Sequence, residues 1–322
     1  MKKEDKIYVA GHTGLVGSAI VRQLRAEGYT NLLLRTHKEL DLTDQAATEN
    51  FFQREHPAYV FVAAGLVGGI KANNESPADF FAVNMAIAQN VILSAYRSAV
   101  KKLLYLGSAC MYPKQCGQPM VEESLLTGLP ECTNEGYALA KISGCRLCSY
   151  MKRQYGVDFI SAIPANAYGL NDCFDPEKSH VIPAMILKYH NAKIKGVPSV
   201  DLWGTGTALR EFIYSDDLAD GCLFLMEYYD GTEPLNMGTG HEISIFELAQ
   251  TIKRVVGYEG EIVCDLSKSD GMMRRMVNSE KIHRLGWRAV TDMETGLRRV
   301  YDWYLDKEKG ALTAGQTHKE EI

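Results

Sequence analysis

The stretch "KIYVAGHTGLVGSAI", residues 6–20, decides how the chain is read. An apolar run, "KIYVAG" (6–11), has strand character and ends on a glycine. Gly11, Gly14 and Gly17 follow at intervals of three, and a helical pattern opens behind them, "SAIVRQLRAEG" (18–28), with Ile20, Val21 and Leu24 on one face. Glycines between a strand and a helix permit a tight turn, close approach to a pyrophosphate and close helix–strand packing. The helix N-terminus behind them attracts the anion. The spacing alone is weak in a chain with 28 glycines; the strand before it and the helix after it carry the reading.

Outward from this loop the pattern repeats. "LLLRT" (32–36), "YVFVAAG" (59–65), "KLLYLGS" (102–108) and "DFISAIPANAYG" (158–169) are short apolar runs separated by helical sequence. Continuous apolar strands between helices predict a parallel sheet covered on both faces, a doubly wound Rossmann-type α/β fold. Beyond residue 170 the alternation loosens. "HVIPAMILKYHNAK" (180–193) reads as helix, "VDLWGTG" (200–206) and "REFIYSDD" (210–217) as short strands. "SIFELAQTIKRVVG" (244–257) opens with the capping box Ser244–Glu247. The expected organisation is a dinucleotide-binding domain over 1–170, with segments near 210–243 returning to it, and a smaller α/β substrate lobe over 171–310. A frayed polar tail is expected over 311–322.

Bulk properties agree with a globular enzyme. The chain has 322 residues, 46% of them hydrophobic and 23% charged, with a net charge of −5, which offers no general attraction for nucleic acid. No apolar run of transmembrane length and no signal-peptide pattern is read in it. Its eight cysteines are scattered, a reduced and intracellular pattern that predicts a cytoplasmic protein. Cys145 and Cys148 form a lone C-x-x-C within a helix, read as structural; no metal site is expected.

Three further stretches carry chemistry. At the end of the second strand, "RTHK" offers Arg35, Thr36, His37 and Lys38 before any acid. This favours NADP(H) over NAD, whose ribose usually meets a carboxylate there. In "DLTD" (41–44), Asp41 or a neighbouring backbone amide could meet the adenine. Tyr137 and Lys141, in "YALAKISG", share a helix face, and a nearby ammonium is expected to lower the tyrosine toward neutrality so that it exchanges a proton with a carbonyl oxygen. Ser108, at the tip of the fourth strand, could bond the same oxygen. With 17 tyrosines a Tyr-x-x-x-Lys pair arises easily by accident. Tyr189–Lys193 is a second one, without a serine-ended strand upstream.

Together the glycine loop, Ser108, Tyr137 and Lys141 resemble the extended short-chain dehydrogenase/reductases that act on nucleotide sugars. "GSACMYP", "NEGYALAK", "SHVIPA", "WGTG" and "REF" are similar to the branch of that family that epimerises and then reduces GDP-4-keto-6-deoxy-D-mannose. The resemblance implies cofactor contacts from Gly11, His12, Thr13, Gly14, Leu15, Val16 and Gly17, then Arg35, Thr36, His37, Asp41 and Leu42. Leu106, Gly107, Lys141, Pro164, Asn166 and His180 complete that set. It implies substrate contacts from Lys188, Trp203, Arg210 and Asn278, with a core position as the other reading of Trp203. It also implies a homodimer. Thr13 and His37 stand where the family often has basic side chains, Lys188 where arginine is common and Asn278 where aspartate is.

The same resemblance assigns Cys110 and His180 to epimerisation, and the chemistry needs such a pair. A 4-keto group acidifies the hydrogens on both flanking carbons, and inversion removes a proton from one face and returns one to the other. Two groups titrating within reach of neutrality suit this, and thiol and imidazole do. The family suggests Cys110 as base and His180 as acid; the residues alone leave the order open. The expected function is an NADPH-dependent 3,5-epimerase-4-reductase yielding GDP-L-fucose. Competing readings are a nucleotide-sugar 4-epimerase, a 4-ketoreductase alone, or a non-catalytic NADP(H) sensor.

Overall fold

The computed structural model describes residues 1–175 and 179–317. The strands are β1 (Ile7–Ala10), β2 (Leu32–Leu33), β3 (Tyr59–Val62), β4 (Lys102–Leu106), β5 (Asp158–Pro164), β6 (Asn166–Tyr168), β7 (Ser199–Trp203), β8 (Leu209–Tyr214), β9 (Leu235–Met237), β10 (Glu242–Ser244), β11 (Glu261–Asp265) and β12 (Arg274–Arg275). The helices are α1 (Leu15–Ala26), α2 (Gln45–Glu55), α3 (Ile70–Glu75), α4 (Pro77–Arg97), α5 (Glu135–Tyr155), α6 (Val181–Lys195), α7 (Ser215–Tyr228), α8 (Ile245–Val256), α9 (Glu280–Leu285) and α10 (Met293–Thr317).

A six-stranded, all-parallel sheet runs in the order β2-β1-β3-β4-β5-β9. The order steps one way from β1 to β2 and the other way from β3 onward. Right-handed crossovers therefore put α1 on one face and α2, α4 and α5 on the other. The packing agrees: α4 lies against α5 and α2, and α7 lies against α1. Because both faces are covered, Ile7, Val9, Val60, Phe61, Leu103, Leu104 and Phe159 are fully buried. The reversal of strand order opens a crevice at the carboxyl ends of β1 and β3, where doubly wound sheets bind ligands.

A second core gathers Tyr168, Ile186, Tyr189, Phe212, Leu248, Ile252 and Leu297 beneath α6, α8 and α10. Its strands are β6, β8, β10 and β12, with β7 paired to β11 alongside. Ser244 and Glu247 form the expected capping box at the start of α8.

Several expected segments differ. The run 32–36 pairs only over Leu32–Leu33, because Glu39 takes the Thr36 N–H and hydroxyl, at 2.7 and 2.8 Å, and folds the chain out of the ladder. The run 158–169 divides between two sheets after the Ala165 N–H turns to Met237. The expected strand 210–217 stops at Tyr214, and Ser215 begins α7, whose first turn carries Asp216 and Asp217. The tail expected to fray continues as α10 through Thr317, since extending a formed helix adds a bond per residue without new nucleation. Residues 318–322 lie outside the described residues. Among the described residues one helix, α4, is long and apolar enough to cross a membrane, and half of its apolar stretch is buried inside the fold.

Candidate active site

The first glycine loop divides into two kinds of constraint. Gly11 has φ +81°, and a Cβ there would lie 2.7 Å from the Ala64 nitrogen. A Cβ on Gly17 would sit 2.1 Å from the Gly11 carbonyl oxygen. The protein itself therefore excludes side chains at both. Gly14 is different: its nearest neighbour to such an atom is the Gly11 oxygen at 3.6 Å, an ordinary contact. Gly14 is exposed and the space above it is open. No side chain caps α1 and no acid sits in its first turn, so the helix start keeps its attraction for an anion. These are the features a dinucleotide pyrophosphate requires, and the loop fits one.

The adenosine end corrects one expectation. Arg35 does not present a free guanidinium: it donates to the Leu34 carbonyl (2.8 Å) and to Glu55 (3.4 Å) and lies over the Phe51 ring. The ion pair with Glu55 holds the guanidinium beside the buried Phe51 ring. His37 is exposed, 3.7 Å from Asp41, and Lys38 is exposed. Asp41 turns on its own loop, accepting from the Thr43 N–H and hydroxyl. Leu42 is buried, and its carbonyl accepts from Asn90. His12 is partly buried, which lowers its pKa, and its Nδ1 has no partner. Thr13 is exposed, and Leu15 and Val16 form the first turn of α1.

At the tip of β4 the chain passes through Gly107 and Ser108 into a 3₁₀ turn, Ala109–Met111. The Cys110 N–H donates to Ser108 Oγ (3.3 Å), and Met111 Sδ accepts from the Ser108 N–H (3.3 Å). Ala109 and Met111 are buried, which turns the half-buried Cys110 outward. Opposite stands α5. Burial pushes the Tyr137 phenol well above its ordinary value; the neighbouring Cys110 adds to the rise and the Ser108 hydroxyl opposes it. Three predicted groups are thus brought together.

Lys141 holds the other end of this arrangement. Its Nζ donates to the Leu106 carbonyl (3.0 Å), 5.8 Å from the Tyr137 ring centre, and burial lowers its pKa to about 8. The net shift of Tyr137 is upward rather than toward neutrality, because desolvation dominates the phenol. Tyr137 rests as a neutral proton donor.

The remaining predicted residues are more dispersed. His180 caps the start of α6 and is exposed; its Nδ1 lies 3.8 Å from the nearly buried Asp172 carboxylate. It makes no hydrogen bond or ion pair with Ser108, Cys110, Tyr137 or Lys141 among the described residues. Pro164 ends β5, and Asn166 donates to the Glu211 carbonyl. Trp203 is 68% exposed, which overturns its core reading. Lys188 is exposed and bonds the Asp201 carbonyl. Asn278 spends its Oδ1 on the Glu280 N–H (2.9 Å).

Arg210 sits on β8 in register with Arg275 of the parallel strand β12, so the two side chains leave the same face. Burial, then the Arg275 charge, lowers the Arg210 pKa. Two adjacent guanidiniums make a ready anion site. Sequence reasoning missed Arg275, for which neither periodicity nor motif gives a signal. It also missed Asn84, which bonds Leu66 on both backbone groups and shapes the exit from β3. A polar residue inside the apolar pattern of α4 is the signal that could have found it. Cys145 and Cys148 are buried and free, and Tyr189 stacks on Tyr258 in the second core. No metal-binding group occurs among the described residues.

The two glycines separate stability from binding. Gly17→Ala is expected to cost about 3 kcal/mol or more in thermal or urea unfolding, as overpacking against backbone does. Gly14→Ala should leave unfolding unchanged but weaken dinucleotide binding roughly tenfold by calorimetric titration. Equal behaviour of the two variants would contradict this division.

The chain matches the sequence model of the NAD dependent epimerase/dehydratase family over residues 7–238. It is 54% identical to GDP-L-fucose synthase 1 of Arabidopsis thaliana, covering 94% of each chain. It is 46% identical to the GDP-L-fucose synthase of Escherichia coli, covering 95% of this chain and 98% of that one. Among solved structures, the GDP-mannoheptose C4 reductase of Campylobacter jejuni with NADP bound superimposes with a TM-score of 0.88. It is 38% identical, over 95% of this chain and 99% of that one. A nicotinamide cofactor is common ground. The protein belongs to the NAD dependent epimerase/dehydratase family, and within it to the GDP-L-fucose synthases.

Proposed function

We propose that the protein converts GDP-4-keto-6-deoxy-D-mannose to GDP-L-fucose, inverting C3 and C5 and then reducing C4 with NADPH. The observation that carries this reading is the thiol of Cys110 beside the phenol of Tyr137. A 4-epimerase or a simple ketoreductase has no use for a half-buried thiol at that place.

The steps follow from the residues. Ser108 and Tyr137 donate hydrogen bonds to the O4 oxygen and stabilise the charge it gains when a flanking C–H is broken. Cys110 takes that proton, and His180 returns one to the opposite face. A nicotinamide held by the glycine loop and Lys141 would supply the hydride that C4 receives. Tyr137, protonated at rest, gives its proton to the O4 alkoxide. Lys141 assists while it remains an ammonium, since its charge eases departure of that proton. One oxygen-binding pair thus serves epimerisation and reduction alike.

NADP(H) is supported by the exposed His37 and Lys38 beside the adenosine crevice and by the NADP of the similar reductase. The loop Gly11–Gly17, Leu106, Gly107 and Lys141 would hold the cofactor. Arg210 and Trp203 suit the diphosphate and the base of a GDP-sugar. Phe81, Leu139, Tyr150 and Tyr155, exposed on α4 and α5, suit the pairing of two copies. Eight free cysteines suit a reducing, cytoplasmic setting.

Cys110→Ser should slow exchange of the C3 and C5 hydrogens with heavy water by roughly 100-fold or more, read by NMR, with cofactor binding intact. Exchange at the wild-type rate would remove Cys110 from its role. The reduction step should fall as pH rises past about 8, where Lys141 loses its proton. NADPH oxidation at saturating substrate would reveal it, and Lys141→Met should be slow at every pH. A wild-type profile flat from about pH 6 to about pH 9.5 would exclude this use of Lys141.

A further inference from the structure

Cys110 has a partner that none of the expected roles includes. Arg275 Nη1 approaches the Cys110 sulfur to 3.6 Å, across 165 positions of sequence. Thiols are the nucleophilic and basic form of cysteine only as thiolates, and a cation at contact distance favours that form. The groups that face Cys110 are few. Tyr137 stands on α5 and is held neutral by burial; Ser108 is uncharged; Arg275 comes from β12 with Arg210 beside it on β8. Among the described residues, no hydrogen bond or ion pair joins Arg275 to a carboxylate. Its charge is therefore available to the sulfur.

The position of Arg275 is imposed rather than incidental. The buried Glu211 accepts from the Val277 N–H (3.0 Å) and the Gly240 N–H (2.8 Å), which clamps the strand bearing Arg275 against β8. The Met276 N–H donates to the Gln118 side chain (3.0 Å), and the Asn278 N–H to the Met120 carbonyl (2.8 Å). These bonds tie β12 to the loop that follows Cys110. The guanidinium is thus delivered to the thiol by backbone contacts on both sides.

We propose that Arg275 is a positioning residue that holds Cys110 as a thiolate aimed at the sugar. In the step it serves, the sulfur lone pair forms an S–H bond with the hydrogen beside the ketone. The electrons of the broken C–H bond pass into the enolate, whose oxygen Ser108 and Tyr137 receive. The guanidinium keeps its charge throughout and exchanges no proton. The catalytic consequence rests on the epimerase reading above, whereas the thiolate itself does not.

The test follows alkylation of Cys110 by iodoacetamide across pH, quantified on its own peptide by mass spectrometry, with no sugar present. In Arg275→Gln the profile should move about one pH unit upward, so that alkylation at neutral pH slows roughly tenfold. Arg275→Lys, which keeps a cation, should stay within about twofold of the unsubstituted protein. Arg275→Met replaces the Gln variant if that one melts early. Heavy-water exchange at C3 and C5 should fall in parallel with alkylation. A neutral variant whose profile overlays the original, or a Lys variant that behaves like the neutral one, would overturn the proposal. Normal alkylation shifts with no exchange in the unsubstituted protein would instead defeat the epimerase reading and leave the thiolate standing.

Discussion

The site depends on how closely α5 lies against β4. A Cβ on Gly144 would fall 2.4 Å from the Tyr105 ring, so the helix approaches the strand nearer than any larger residue allows. The bond from Lys141 Nζ to the Leu106 carbonyl closes the same contact one turn earlier. Tyr137 is then carried over the end of β4, where Ser108 and Cys110 emerge. Burial created by this contact shifts two groups in opposite directions, keeping the phenol protonated and bringing the ammonium down to about 8. A single cause, desolvation, thereby gives a donor and a titrating neighbour side by side.

The smaller lobe supplies what the sheet edge lacks. Both glycines of "WGTG" adopt positive φ, and Asp270 holds the turn by accepting from the Thr205 N–H (2.7 Å) and hydroxyl (2.9 Å). Trp203 is left open beside it. The chain also returns to the large sheet: β9 pairs with β5, and Asn236 within it bonds the Tyr112 hydroxyl, the Met120 carbonyl and the Asn278 carbonyl. Segments far apart in sequence are thus knit around the loop that follows Cys110. Aligning a thiol, a phenol and two guanidiniums requires this interlocking, since each comes from a different element.

What the sequence revealed followed from local physics. Parallel strands buried on both faces read as unbroken apolar runs. Gly11 and Gly17 read correctly because a tight turn between a strand and a helix calls for glycine, although Gly11 is also pressed by Ala64 from the end of the neighbouring strand, and Ser244 with Glu247 caps a helix from its first turn. What it concealed depended on distant partners. Arg35 reads as a free cation in the sequence, whereas Glu55, 20 positions on, bonds it. Tyr137 and Lys141 were paired correctly by helical spacing, but the direction of the tyrosine shift required knowing its burial. Trp203 could not be assigned inside or outside from five residues of strand. Arg275 carried no local signal at all, because its significance lies in a sulfur 165 positions away.

The central claim is that one oxygen-binding pair serves two chemistries in one pocket. The most direct measurement incubates the protein with NADPH and GDP-4-keto-6-deoxy-D-mannose in heavy water and assigns the product by NMR. The account predicts GDP-L-fucose carrying deuterium at C3 and C5, and at C4 the hydrogen delivered from NADPH. A product reduced at C4 without deuterium at either flanking carbon, or inverted at C4 with no NADPH consumed, would contradict it.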